Sequence, residues 1–201
     1  MTVLAIGDIH GTFTPFKKII DDNAGKDLDI VLTGDYIDRQ PEENGDINTV
    51  DLVRGLVEDP KHFGYKSAVA LTGNHERLML ESIINKDFDC WLMNGGNVQS
   101  LHDLVPHLEW LAALPTYHVK GDYLFVHAGV RPNVPLEEQR EQDLVWIRDP
   151  YLNAESHGLP YTIISGHTIT DSLEVEYYDD RIYLDTGSFF TGNIGTALLE
   201  C

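Results

Sequence analysis

The chain has 201 residues, of which 42% are hydrophobic and 23% charged, with a formal net charge of −19. Length and composition suit one globular domain with a sizeable core and exclude a disordered or fibrous chain. The acidic balance argues against nonspecific nucleic-acid or anionic-membrane binding, and no apolar run approaches the roughly 20 residues of a membrane helix.

Residues 3–6 form a short apolar run closed by Gly7, and runs of that kind read as buried strands. Met1 leads directly into this run, without the basic and apolar regions of a secretory leader. Thr14-Pro15 starts a helix with Phe16, Ile19 and Ile20 on its inner face. A second strand over 30–32 precedes a polar loop over 40–46 and a helix over 48–57, where Val50, Val53 and Val57 stand at helical spacing. A third strand over 68–71 leads to a helix over 76–84. Residues 85–114 read as a mainly helical, cap-like segment, broken at Gly95-Gly96 and Pro106. The second half changes character. Residues 116–119 and 123–126 flank Lys120-Gly121-Asp122, and 173–178 and 181–184 flank Asp179-Asp180, both hairpin signals. Short runs at 163–164 and 194–199 supply further strands. Helices alternating with strands, then hairpins, predict an α/β fold of two facing mixed β-sheets flanked by helices, with 1–201 as a single domain.

Five blocks carry the chemistry: Gly7-Asp8-Ile9-His10-Gly11, Gly34-Asp35-Tyr36-Ile37-Asp38-Arg39, Gly73-Asn74-His75-Glu76, His127-Ala128-Gly129 and Gly166-His167. Each follows a predicted strand, so a rigid sheet aims distant loop residues at one point. Asp, His, Asn and Arg without a thiol are hard and borderline metal ligands plus phosphate-binding arginines. One such block alone is more often a turn or a helix cap. Five in order, each with a flanking glycine, form a site.

The order of these blocks resembles the calcineurin-like metallophosphoesterases, and within them the phosphoprotein phosphatase family, to which Asp38-Arg39 and the Glu after Asn74-His75 point. Trp146-Ile147-Arg148, Gly166-His167-Thr168 and Leu184-Asp185-Thr186-Gly187 are similar to the small bacterial and lambda-phage-type serine/threonine protein phosphatases. The resemblance implies an αββα sandwich and two divalent ions about 3.5–4 Å apart. Manganese is the first expectation, with iron or zinc as alternatives. It further implies Asp8 and His10 on one ion, Asn74, His127 and His167 on the other, and Asp35 bridging them. Hydroxide between the ions would attack phosphorus while Arg39 and Arg148, with Asn74 and His75, hold the phosphate oxygens. His75 resembles the general acid, and Asp38 would orient its imidazole. Glu76 is expected to brace the loop or cap the next helix.

Gln40 departs from the family pattern where a glycine usually follows the Asp-Arg pair, as do Ser165 and Ile169 around Gly166-His167-Thr168. No departure removes a ligand. His62, His102, His107, His118 and His157 lack the strand-end setting and are expected at the surface. Trp91 and Trp110 are expected to pack in the core or cap, Trp146 to wall the pocket, and Asp185 to brace the site from behind its ligands. Cys90 and Cys201 lie outside every block, which predicts reduced thiols in a cytoplasmic protein.

The leading expectation is a phosphomonoesterase acting on phosphoserine or phosphothreonine in proteins. Symmetrical hydrolysis of dinucleoside tetraphosphates is the alternative, for which the sequence offers no clear pair of base-stacking faces. A noncatalytic phosphate-binding scaffold is disfavoured because all six ligands and His75 are present. No nucleic-acid or membrane partner is expected, and the sequence leaves the oligomeric state open.

Overall fold

The structure is a computed structural model that describes residues 2–201. Its first half runs β1 (Thr2–Ile6), α1 (Phe13–Asn23), β2 (Asp29–Leu32), α2 (Gly45–Glu58), β3 (Ser67–Ala70) and α3 (Asn74–Asn85). Three short helices follow: α4 (Asp89–Met93), α5 (Val98–Leu104) and α6 (Leu108–Ala112). Then come β4 (Tyr117–Lys120), β5 (Tyr123–Val126), α7 (Glu141–Trp146), β6 (Thr162–Ser165), β7 (Glu176–Tyr177), β8 (Arg181–Tyr183), α8 (Ser188–Thr191) and β9 (Thr196–Glu200).

Two mixed sheets result. One has the order β3-β2-β1-β9 and the other β4-β5-β6-β8-β7. Strands β1, β2 and β3 are parallel, while β9 returns antiparallel to β1. In the second sheet β5, β6 and β8 are parallel, edged by antiparallel β4 and β7. Side chains alternate between faces along a strand. Val3 and Ala5 of β1 therefore join Val31, Phe125, Ile164 and Leu184 in the core between the sheets. Leu4 and Ile6 face the other way and pack with Phe16, Ile20, Val53 and Leu56 of α1 and α2. Both faces are covered, which is why the strand sequences read as continuous apolar runs. The far face of the second sheet packs on Leu144 of α7 and on Ile147 and Tyr151 just beyond it. Among the described residues no helix is long and apolar enough to cross a membrane.

Several boundaries differ from expectation. Helix α2 starts at Gly45 rather than 48, entered from Asn44 in a left-handed conformation (φ 58°). Ile47, three residues before Val50 and packed against the same core, already belongs to the apolar period, while Gly45 and Asp46 before it carry no such signal. Helix α3 starts at Asn74 rather than 76, because the Gly73 N–H donates to the Glu76 carboxylate and closes the first turn. Asn74 and His75 thus stand on a helix, not on a free loop. The second hairpin is shorter than 173–178, since Leu173 takes a left-handed turn (φ 57°) and only Glu176–Tyr177 pairs with β8. The 85–114 segment breaks at Gly95-Gly96 as expected.

The histidines outside the blocks divide. His62 and His102 are exposed and His118 is half-buried, but His107 and His157 are buried, against expectation. Each has a polar partner that makes burial tolerable: His107 Nε2 lies 3.2 Å from Asp51 Oδ1, and the His157 Nδ1 accepts the Leu159 N–H at 3.1 Å.

Candidate metal centre

Every block ends at the carboxyl end of a parallel strand or in the turn after it: Asp8 and His10 follow β1, Asp35 to Arg39 follow β2, Asn74 and His75 follow β3, His127 follows β5 and His167 follows β6. The backbone there is strained. His10, Asp35, Asp38, Arg39 and His167 all have positive φ, between 48° and 71°. A left-handed non-glycine residue costs roughly 1–2 kcal/mol, and such strain concentrates at functional sites. Two glycines of the blocks are needed for close approach. A Cβ on Gly166 would stand 1.9 Å from Asp8 Oδ1, and one on Gly73 would stand 2.1 Å from Asp35 Oδ1.

Asp8, His10, Asp35, Asn74, His127 and His167 all converge on one buried point. His10 Nδ1 donates to the Ile37 carbonyl (2.8 Å) and His127 Nδ1 to the Thr33 carbonyl (2.9 Å). Those bonds fix the tautomer and turn both Nε2 lone pairs inward. His127 Nε2 then meets Asn74 Oδ1 at 2.8 Å and Asp35 Oδ1 at 3.4 Å, and His167 Nδ1 meets the same Asn74 oxygen at 2.7 Å. His10 Nε2 lies 3.6 Å from Asp35 Oδ2 and takes a guanidinium N–H of Arg39 at 3.1 Å, a cation already seated on that lone pair. Asp8 accepts the His167 backbone N–H at 3.0 Å.

Acceptors facing acceptors call for a cation between them. Burial lowers the His10 pKa to about 3 against the pull of Asp35. Burial, aided by His127 and Arg148, lowers His167 to about 2, and burial also lowers His127. The three rings are therefore neutral, as metal-ligating imidazoles must be. The carboxylates tell the same story. Burial, Asp185 and Asp35 push Asp8 well up, burial and Asp35 push Glu76 to about 7, and burial pushes Asp185 to about 6. For Asp35 burial acts upward, but the one charged ring beside it, His75, and the His75 backbone N–H, which donates to Oδ1 at 3.0 Å, pull the carboxyl below its usual range. Among the described residues two groupings can hold an ion, His10-Asp35-His75 and Asp8-Asp35-His127, and they share Asp35. The donor set thus fits divalent cations, with a two-oxygen side chain at the middle.

His75 differs from the other three. Its Nδ1 lies 2.7 Å from Asp38 Oδ2, a carboxylate instead of a carbonyl. Burial opposes its charge, but Asp35 and Asp38 outweigh burial and raise its pKa. Its Nε2 stays 3.9 Å from Asp35 Oδ2, at the edge of the ligand cluster. Asp38 is held in turn by the Trp91 indole N–H, at 3.0 and 2.9 Å from its two oxygens. Trp91, expected only to pack, is both fully buried and the orienter of Asp38. Glu76 braces two loops, accepting the backbone N–H groups of Asp35 (2.9 Å) and Tyr36 (2.8 Å) after β2 and of Gly73 (2.8 Å) after β3.

Above the cluster opens a cavity of about 390 Å³, with Arg39, Arg148, Asn94, Trp146 and Phe189 in its wall. The Arg39 guanidinium lies over the Phe189 ring at 5.1 Å and donates through Nε to the Asn94 carbonyl. Ile169 also lines this wall. Gln40, which replaces the usual glycine, bridges Ser100 Oγ (2.8 Å) and the Asp46 N–H (3.0 Å) and ties the loop after Arg39 to α5 and α2. Sequence reading missed Phe189, Asn94 and the indole bond of Trp91, since none stands in a block.

Residues 1–186 match the family model of the calcineurin-like phosphoesterases. The chain belongs to that family. This phosphoesterase is 29% identical over 153 residues to a symmetrical bis(5'-nucleosyl)-tetraphosphatase of Aromatoleum aromaticum, a match covering 70% of this chain and 48% of that protein, so it spans about half the relative's length. It is 26% identical over 212 residues to serine/threonine-protein phosphatase 2 of Salmonella typhimurium, covering 96% and 90% of the two chains. The fold of the phosphoesterase superposes on a cold-active protein tyrosine phosphatase with a TM-score of 0.71 at 17% identity, over 99% of this chain and 73% of the other.

Replacing Glu76 by alanine strips three buried N–H groups of their acceptor. The expected loss is about 3 kcal/mol or more of unfolding free energy, read by urea denaturation. A loss below about 1 kcal/mol would show that the loops hold without it.

Proposed function

We propose that the phosphoesterase removes phosphate from phosphoserine and phosphothreonine in proteins, using two divalent ions with manganese as the leading choice. Asp8, His10 and Asp35 would hold one ion, and Asp35, Asn74, His127 and His167 the other. When bound, the pair supplies an activated water and positive charge against the phosphoryl oxygens. The chain's own residues do the rest. Arg39 and Arg148, on the cavity wall, bind phosphoryl oxygens through planar N–H forks. Asn74, at the cavity floor, adds a side-chain contact to the same group. His75, protonated and backed by Asp38, delivers its Nε2 proton to the departing serine or threonine oxygen. Trp91 keeps Asp38 from rotating away.

The observation that carries this reading is the graded chain Trp91-Asp38-His75 beside the ligand cluster, with two arginines facing it across one small cavity. A proton donor so placed serves a poor leaving group such as an alkoxide. Relatedness to the Salmonella phosphatase along 96% of the chain supports the protein substrate. The second reading, symmetrical dinucleoside tetraphosphate hydrolysis, draws support from the Aromatoleum relative and from Trp146 and Phe189, two aromatic faces that share the cavity wall. A noncatalytic scaffold has no use for the converged ligands and the braced acid together.

Side-by-side turnover of a phosphoserine peptide and diadenosine tetraphosphate by the manganese-loaded protein decides between the two readings. Preference for the peptide is expected, and preference for the dinucleotide overturns it. His75→Asn is expected to retain metal and fold while slowing the phosphoserine peptide about 100-fold or more, with p-nitrophenyl phosphate much less affected. Equal slowing of both substrates would remove the acid role.

A further inference from the structure

Asp46 is a buried carboxyl outside the ligand cluster. It stands in the first turn of α2, where an acidic side chain suits the helix dipole, yet only 1% of it is exposed. Keeping a carboxylate from water is costly unless its neighbours offset the loss. Burial and the charge of Asp38 push its pKa up to about 7, against the pull of the Ser100 hydroxyl, the Asp38 backbone N–H and the His75 ring. The hydroxyl and the N–H face its oxygens as loose hydrogen bonds, short of full geometry. From the other side the loop after β1 presses on it. A Cβ on Gly11 would stand 2.6 Å from Asp46 Oδ1, and one on Gly45 would stand 2.1 Å from the Gly11 carbonyl oxygen. Gln40 closes the ring, since its amide N–H donates to Ser100 Oγ while its amide oxygen accepts the Asp46 N–H. The departure from the family pattern is thus part of the structure that encloses this carboxyl.

We propose that Asp46 is a positioning residue for the proton donor: it holds the backbone of Asp38 from behind, and Gln40 and Ser100 hold Asp46. This role rests on the assignment of His75 as the acid and adds the support behind its orienter. Asp38 needs that support. Its φ is 71°, a left-handed conformation that a non-glycine residue keeps only when its surroundings impose it. His75 Nδ1 and the Trp91 indole grip the Asp38 carboxylate alone. The backbone is held separately, with the Asp38 N–H facing Asp46 and the Arg39 N–H donating to the Gly95 carbonyl at 3.1 Å. A backbone free to turn at Asp38 would carry the carboxylate off the His75 ring, and a proton donor works only in the correct orientation. Asp46 does not line the phosphate cavity, so its influence on the reaction passes through Asp38.

The test is a double-mutant cycle of Asp46→Asn and His75→Asn in the manganese-loaded protein, with a phosphoserine peptide and p-nitrophenyl phosphate as substrates. It is run above pH 7, where the Asp46 carboxyl is ionised. The amide keeps the shape of the side chain and loses the charge that draws both donors. Alone, Asp46→Asn is expected to lower kcat for the peptide about tenfold with little change in KM, and to slow p-nitrophenyl phosphate much less. On a His75→Asn background it is expected to change peptide turnover by less than about twofold, because the group it positions is gone. Ser100→Ala removes one donor and leaves the carboxylate. It is expected to move the ratio of the two substrates the same way by a smaller factor, and it carries the test alone if Asp46→Asn does not fold. Equal slowing of both substrates, an undiminished tenfold loss on top of His75→Asn, or no change in any variant that folds overturns the positioning role and leaves His75 as the acid. Equal slowing of both substrates by His75→Asn itself overturns the acid assignment, and the role of Asp46 with it.

Discussion

Buried negative charge is the constraint on which the rest of this molecule turns. Asp8, Asp35, Glu76 and Asp185 are all at most 2% exposed, and the rings that face Asp35 from beside the strands include neutral His10 and His127. Isolated carboxylates in such a place would cost several kcal/mol each unless paired, bonded or neutralised. The fold answers part of this demand itself. Glu76 receives three backbone N–H groups, Asp8 receives the His167 N–H, and Asp185 receives the Gly187 N–H. What remains is a set of inward lone pairs centred on Asp35 and Asn74, and that remainder is the requirement for cations.

The sheets exist to hold those lone pairs still. Parallel β1, β2 and β3 deliver three blocks at adjacent strand ends, and β5 with β6 delivers two more from the facing sheet. Between them, Val3, Ala5, Phe125 and Ile164 lock the sheets face to face. Only a rigid frame can keep five non-glycine residues at positive φ within one small region. Packing energy in the core thereby holds a strained, preorganised set of donor atoms in place. Asp38, Trp91 and His75 extend the same logic outward, since each fixes the next by a hydrogen bond that water does not reach.

Much of this was legible in the residues. The apolar runs ending in glycine marked the strands, and all six expected ligands meet where the blocks converge, because a strand end fixes its loop and the loop carries the ligand. The family resemblance implied Asp35 as the shared ligand, and the structure puts it in both groupings that could hold an ion. Other features had no local signature. Helix α2 opens on Gly45-Asp46, which carry no apolar signal, so only Ile47 marks its first turn. Trp91 looks like any core tryptophan until the fold brings Asp38 to its indole N–H from 53 positions away. Phe189 reaches the pocket only through the return of the chain after β8, and the buried His107 and His157 rings also lie against groups distant in sequence, the Asp51 carboxylate and the Asp180 carbonyl. Long-range hydrogen bonds were what the sequence could not display.

The central claim is that the Asp35-centred cluster is a two-ion site whose halves depend on one carboxylate. Elemental analysis of the manganese-saturated protein, counted per chain beside Asp35→Asn, addresses it most directly. The account predicts about two ions in the native protein and a joint loss in the variant, since one neutral amide cannot serve both halves. Two ions held equally by both proteins, or none held by the native one, would contradict it.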